Sequence, residues 1–371
     1  MAKFSELGVK NELVKALKEK KITVPTEIQE KSIPFLINEG SDFIGQAQTG
    51  TGKTAAYGLP LLHKVNPKNN AIQALILAPT RELVIQIKKE LFKFTKYSEN
   101  IFSEAVYGGA PIEKQITALT RPTHIIVATP GRLIDLINKS IIDLSYVKYV
   151  ILDEADEMLN MGFKNDITTI LDYTNGQRYT WLFSATMPKD IKLMIKTYLQ
   201  PDAKYIRVIK KSILNENIEH QYLTCHDDEK LFVLMSFLGA QGRARGVIFC
   251  KTKNAAKTLE KQLKSKNILT NAIHGDLLQK ERDKIMRSFK NESTQFLIAT
   301  DIAARGLDIK DLAFVVHYQL PDKLEYYTHR SGRTARAGKT GVSLAFINRE
   351  EHKNLRFIES NLKIKFKKIR Y

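Results

Sequence analysis

The chain has 371 residues, 43% apolar and 26% charged, a globular balance that argues against disorder and is long enough for two domains. Lys and Arg total 58 against 40 for Asp and Glu, a formal charge of +18 that favours a polyanionic partner or serves solubility alone. No stretch approaches the ~18 apolar residues of a membrane span, and Cys225 and Cys250 form neither a CxxC pair nor a zinc set. The opening MAKFSELG has no basic segment followed by an apolar run, so a cytoplasmic protein in a reducing setting, with no membrane partner, is expected.

In chain order, the apolar segment Phe43–Ile44 leads into Ala47-Gln-Thr-Gly-Thr-Gly-Lys-Thr54 and then a helical pattern. Strand, glycine-rich loop and helix form the context of a phosphate-binding loop. Glycines let backbone N–H groups turn inward, and the helix N-terminus adds positive potential. Lys53 would reach the β/γ-phosphates and the Thr54 hydroxyl would hold Mg²⁺. Ala47 stands where the strict pattern begins with Gly. The runs Ala74–Leu77, His124–Ala128, Tyr149–Leu152 and Thr180–Phe183 read as buried parallel strands, apolar on both faces because helices cover both. Tyr149–Leu152 runs straight into Asp153-Glu154-Ala155-Asp156. Acids there fit a cation and a water: Asp153 would bind Mg²⁺, partly through water, and Glu154 would position the attacking water. A helix start with acids near its N-terminus is the plainer alternative. It suits Asp156 alone better than the whole tetrad.

The pattern weakens over Gln200–Ile218, where charges of both signs mix. This divides the chain into a first domain at 1–204, a linker at 205–216 and a second domain at 217–371. A second set of apolar runs follows at Gly246–Cys250, Gln295–Ala299, Ala313–His317 and Gly341–Phe346. Strands alternating with helices predict an α/β fold with a parallel sheet in each half. Arg330, Arg333 and Arg336 repeat at helical spacing and would line one face, as charge facing a polyanion or as something more specific. The end, Leu362–Tyr371, carries five basic residues and no acid, and reads as a basic edge for a polyanion or a solvated final segment.

Asp-Glu-Ala-Asp at 153–156 together with the loop at 47–54 resembles the DEAD-box branch of the superfamily 2 helicases, in its minimal bacterial form. The likeness runs from Phe4 to Gly338, with the motifs in order. It implies two tandem RecA-like domains with a cleft between them. Gln29, within Pro25-Thr-Glu-Ile-Gln29, would read the adenine edge. Phe4, Ile22, Gln48, Thr49, Gly50, Thr51 and Gly52 would join Lys53 and Thr54 around ATP. Lys21 and Ile22 depart from a more usual Gly–aromatic pair, and Ala337 stands where some members have a second aromatic. Ser184 and Thr186, with Asp156 and His329, would couple the acids to domain closure. Pro79, Thr80, Arg81, Gly108, Gly109, Thr129, Pro130, Gly131 and Arg132 would contact RNA, and the helix Leu133–Asn138 would bend one strand of it. In the second half, Val247–Cys250 matches a further motif with Phe249 structural. Gln279, Arg282 and Thr300 would touch RNA, Asp308 the ribose of ATP, and Arg333 and Arg336 would be arginine fingers at the γ-phosphate. Ala335 replaces a more usual Gly.

The resemblance thus implies an ATP- and Mg²⁺-dependent RNA helicase. Its partners would be single-stranded RNA and short duplexes, and it would act as a monomer targeted by protein partners. An ATP-gated RNA clamp with little unwinding would keep every motif. A loop ATPase acting on protein or DNA would not need the Pro-Thr-Arg-Glu-Leu and Thr-Pro-Gly-Arg elements.

Overall fold

The computed structural model describes residues 2–48, 50–98, 100–174, 178–208, 216–304, 307, 309, 312–335 and 340–370. The chain divides into two compact units, Met1–Ile209 and Lys210–Tyr371. No helix among the described residues is long and apolar enough to cross a membrane.

In the first unit the strands are β1 (Phe43–Gln46), β2 (Ala74–Leu77), β3 (Ser103–Val106), β4 (Ile125–Ala128), β5 (Tyr149–Leu152), β6 (Tyr179–Ser184) and β7 (Lys204–Arg207). They form one parallel sheet in the order β3-β4-β2-β5-β6-β1-β7. All four residues of β2 and of β4 are buried, because helices pack on both faces. One face gathers Phe43, Ile76, Val127, Ile151 and Trp181; the other gathers Leu75, Leu77, Ile126, Val150 and Leu182. The register levels the carboxyl ends, with Gln46 beside Ser184 and Leu77 beside both Leu152 and Ala128. The loops leaving the strands therefore meet along a single edge, where open α/β sheets bind ligands.

The second unit repeats the design with β8 (Ile218–Thr224), β9 (Gly246–Cys250), β10 (Thr270–Ile273), β11 (Phe296–Thr300), β12 (Phe314–His317), β13 (Gly341–Ile347) and β14 (Lys367–Lys368). The order is β10-β11-β9-β12-β13-β8-β14, again all parallel. Cys225 and Cys250 are buried and unpaired. Burial pushes their thiols up to about 11 and about 12, so both stay protonated at neutral pH.

Every apolar run read as a strand is one. The strands the sequence hid are β3, β7, β8, β10 and β14, which lie at or next to sheet edges and mix polar residues into the run. One boundary needs correction. Residues 205–207, expected in the linker, pair with β1 as part of β7, with Ile206 buried. Residues 209–215 lie outside the described residues.

Candidate functional site

Helix Lys53–Lys64 starts from Gly52, whose φ of +87° is a left-handed conformation that L side chains rarely adopt. A Cβ on Gly52 would also stand 2.3 Å from Gln29 Nε2. This close approach has a purpose: Gln29 Nε2 donates to the Gly52 carbonyl at 3.0 Å. Gln29 Oε1 accepts from the Thr26 backbone N–H at 2.9 Å, closing the start of helix Glu27–Asn38. Thr26 Oγ1 donates to the Thr51 carbonyl, and Thr51 Oγ1 to that of Gln48. The segment Pro25–Gln29 thus holds the loop from one side. One N–H and one lone pair of the Gln29 amide carry no hydrogen bond among the described residues.

Lys53 is buried, at 6% exposure, and its ammonium has no hydrogen-bond partner among the described residues. A buried ammonium without a hydrogen-bond acceptor is costly unless a ligand supplies one. Asp153, at the end of β5, is buried beside it. Burial raises its carboxyl above the usual carboxylate range, opposed by the Lys53 charge and by the Tyr57 hydrogen bond. Its Oδ2 accepts from the Tyr57 hydroxyl at 2.9 Å, and its Oδ1 from the Glu154 backbone N–H at 3.0 Å. Glu154 sits at φ 51°, ψ 48°, a left-handed conformation for a non-glycine residue at the first step out of the strand. Asp156 Oδ2 accepts from both the backbone N–H and the hydroxyl of Thr186, at 2.9 and 2.7 Å. The Ser184 hydroxyl donates to the Thr186 carbonyl at 2.6 Å. The loop, the acids and the Ser-Ala-Thr turn thus lie at the ends of the neighbouring strands β1, β5 and β6.

The other half of the edge is made by β3, β4 and β2. Helices Arg81–Phe94 and Pro130–Asn138 begin there, placing two positive N-termini side by side. Gly108 and Gly109 are exposed, and a Cβ on Gly108 or Gly131 would meet nothing within 4 Å. Arg81 lies over the Tyr107 ring at 4.6 Å and donates to the Gly109 carbonyl at 3.3 Å. Arg132 donates to the Ala110 carbonyl at 3.0 Å. Both arginines therefore shape the glycine loop as well as charging it. Thr80 is a helix cap whose Oγ1 accepts from the Leu83 N–H, and Pro79 is buried beneath it.

In the second unit, Thr300 ends β11 and Asp301 opens the next turn. Gln279 donates to Asp283 at 2.8 Å, and Arg282 Nη2 donates to the Ala303 carbonyl at 3.1 Å. Helix Leu324–Ser331 turns Tyr327, Arg330 and Ser331 inward. Arg330 is 1% exposed and forks onto Asp301 at 2.6 and 2.7 Å, with Nη1 donating to the Gln319 carbonyl at 2.8 Å. The expected arginine face is thereby corrected. The helix ends at Ser331, Arg330 belongs to its buried side, and Arg333 lies beyond the end, donating to the Leu307 carbonyl at 2.8 Å. His329 and Arg333 line a small pocket with Phe249, Asp301, Ala304 and Tyr326.

Under that helix lies a buried polar chain. His220 Nδ1 meets the Tyr327 hydroxyl at 2.7 Å, and the Ser331 and Ser343 hydroxyls meet His317 Nε2 at 3.3 and 3.0 Å. Burial pushes His220 down to about 4 and His317 well below its ordinary range. An unfolded histidine titrates near 6.5, so between pH 6.5 and 4 the unfolded chain binds more protons. Stability is then full above pH 6.5 and is lost as pH falls. His220 alone contributes a loss of about 2 kcal/mol at pH 5. Urea unfolding at pH 7 and 5, followed by circular dichroism, should show this loss and a smaller one in His220→Gln. An equal pH dependence in the variant would remove His220 from the explanation.

Two family models match the chain: the DEAD/DEAH box helicase model over residues 26–194 and the helicase conserved C-terminal domain over 229–338. The ATP-dependent RNA helicase CshA of Listeria monocytogenes is 44% identical over 363 residues, 98% of this chain and 69% of that protein. A probable ATP-dependent RNA helicase of Methanocaldococcus jannaschii is 44% identical over 99% of this chain and 98% of its own length. The chain belongs to the DEAD-box helicase family. Among solved structures, S. cerevisiae Dbp5 bound to RNA and ADP BeF3 matches this DEAD-box protein with a TM-score of 0.91 and 31% identity, covering 100% and 96% of the two chains.

Some expected site residues of this DEAD-box chain fall outside the described residues, namely Thr49, Asp308 and Arg336, as does Ala337. Phe4 is 2% exposed within the core of the first unit, and Ile22 packs against that same core. Two contributors escaped the sequence. Tyr57 carried a usable signal, since four residues after Lys53 is the same helix face. Tyr107 carried none, because its stacking on Arg81 depends on the fold.

Proposed function

We propose that the chain is an ATP-dependent RNA helicase in which RNA-stimulated hydrolysis drives closure and opening of the two units and so unwinds or remodels short duplexes. The single observation that carries this is the buried Lys53 ammonium at the head of a helix, without a hydrogen-bond partner among the described residues, with Asp153 and Glu154 at the end of a strand of the same sheet. An ammonium in that setting calls for phosphate oxygens. No group of three His, Cys, Asp or Glu among the described residues could hold a metal by itself. That suits Mg²⁺, which arrives with phosphates and waters and takes one or two protein groups, here Thr54 and Asp153. The metal would neutralise charge developing between the β- and γ-phosphates.

In this reading Lys53 binds phosphate, Gln29 reads the base, and Glu154 orients the attacking water and accepts its proton. Arg333, with Arg336, supplies positive charge to the transferring phosphoryl group. The open glycines and helix N-termini after β2, β3 and β4 take the RNA backbone, which carries no sequence code. Discrimination against DNA rests on the 2′-OH. We expect a monomer, with its targets chosen by protein partners. A strand-separation assay on a short RNA duplex with ATP tests the helicase reading. Release of the strand with ATP and none without it is expected. ATP turnover with an intact duplex would instead favour an RNA clamp.

A further inference from the structure

We propose that Tyr57 is a positioning residue for the metal carboxylate, its hydroxyl fixing Asp153 against the helix that carries Lys53 and Thr54. The inference rests on the nucleotide reading above and deepens it. Tyr57 is fully buried, and its ring packs on Phe183 at 5.2 Å between centroids. A phenylalanine ring would fill the same space. The oxygen therefore adds nothing to packing and must find a partner to offset its desolvation. Its partner is Asp153 Oδ2, at 2.9 Å, with the Thr54 side chain beside it. Asp153 Oδ1 is held by its own chain, through the Glu154 N–H. Tyr57 is thus the described link between the carboxylate on β5 and the helix that begins at Lys53. Each carboxylate oxygen keeps a lone pair for waters of a metal ion. Outer partners of this kind orient the groups that hold a metal, and their removal typically lowers metal affinity by about 10–100-fold.

The test is Tyr57→Phe, with Asp153→Asn as the positive control. Binding of a fluorescent, non-hydrolysable ATP analogue is titrated with Mg²⁺, and binding in EDTA is measured separately, with thermal unfolding alongside. The expected result is an unchanged affinity in EDTA and a Mg²⁺ half-saturation raised by about tenfold. A half-saturation equal to wild type would overturn the proposal, even if the variant unfolds earlier, since a purely structural hydroxyl would lower stability alone. Lack of Mg²⁺-dependent binding in the wild type would overturn the nucleotide reading itself, and this inference with it.

Discussion

Glutamine in place of Glu154 is expected to lower RNA-stimulated ATP turnover by a factor of about 10²–10⁴, the usual contribution of a group that takes a proton from the attacking water. Glutamine has the same shape and keeps a side-chain carbonyl, but it cannot accept the proton. The backbone need not change, because glutamine adopts the left-handed conformation at φ 51°, ψ 48° as readily as glutamate does. Asp153 keeps both its donors, the Tyr57 hydroxyl and the backbone N–H of residue 154. Nucleotide and RNA binding should therefore stay within a few-fold of wild type while hydrolysis fails. Equilibrium binding of an ATP analogue, measured beside steady-state turnover, separates the two effects. Turnover within tenfold of wild type would take Glu154 out of the chemistry.

The largest structural effect is expected in the second unit. Replacing Arg330 by Met should cost about 3–5 kcal/mol, the range for breaking a buried ion pair by removing one partner. The guanidinium makes three hydrogen bonds of 2.6–2.8 Å to Asp301 and Gln319 and lies over Phe249 at 5.1 Å. Methionine fills most of the volume but leaves the Asp301 carboxylate, 15% exposed, without its counter-charge. The chain's single tryptophan, Trp181, lies in β6 of the first unit. Its fluorescence reports that unit's unfolding, and far-ultraviolet circular dichroism reports both. Arg330→Met should shift the dichroism transition and leave the Trp181 transition in place. Adding Asp301→Asn should recover part of the loss, because it removes the stranded charge. A double variant that is less stable than the single would contradict the ion-pair account.

These two residues show what can be read without coordinates. The place of Glu154 at the end of β5 was legible because it is local: an apolar run passing straight into acids shows in the sequence itself. The same holds for Gly52-Lys53-Thr54, where strand, turn and helix lie within a dozen residues. The buried strands were legible for a related reason, since a strand covered on both faces must be apolar throughout. Arg330 was only half legible. Its spacing from Arg333 and Arg336 gave a helical period but not the phase, which is set by Asp301, 29 residues earlier in the chain. Strand β7 was hidden because an edge strand needs few buried side chains; of Lys204–Arg207 only Ile206 is buried. Tyr57 showed its position relative to Lys53, but its acceptor lies 96 residues away. Contacts within one element could be read; contacts between elements needed the fold.

The central claim is that RNA and ATP act on one another through this chain. Steady-state ATP hydrolysis should be measured with single-stranded RNA, with single-stranded DNA of the same sequence, and with neither. The account predicts slow basal turnover, strong stimulation by RNA and little by DNA. Turnover that is indifferent to RNA would contradict it.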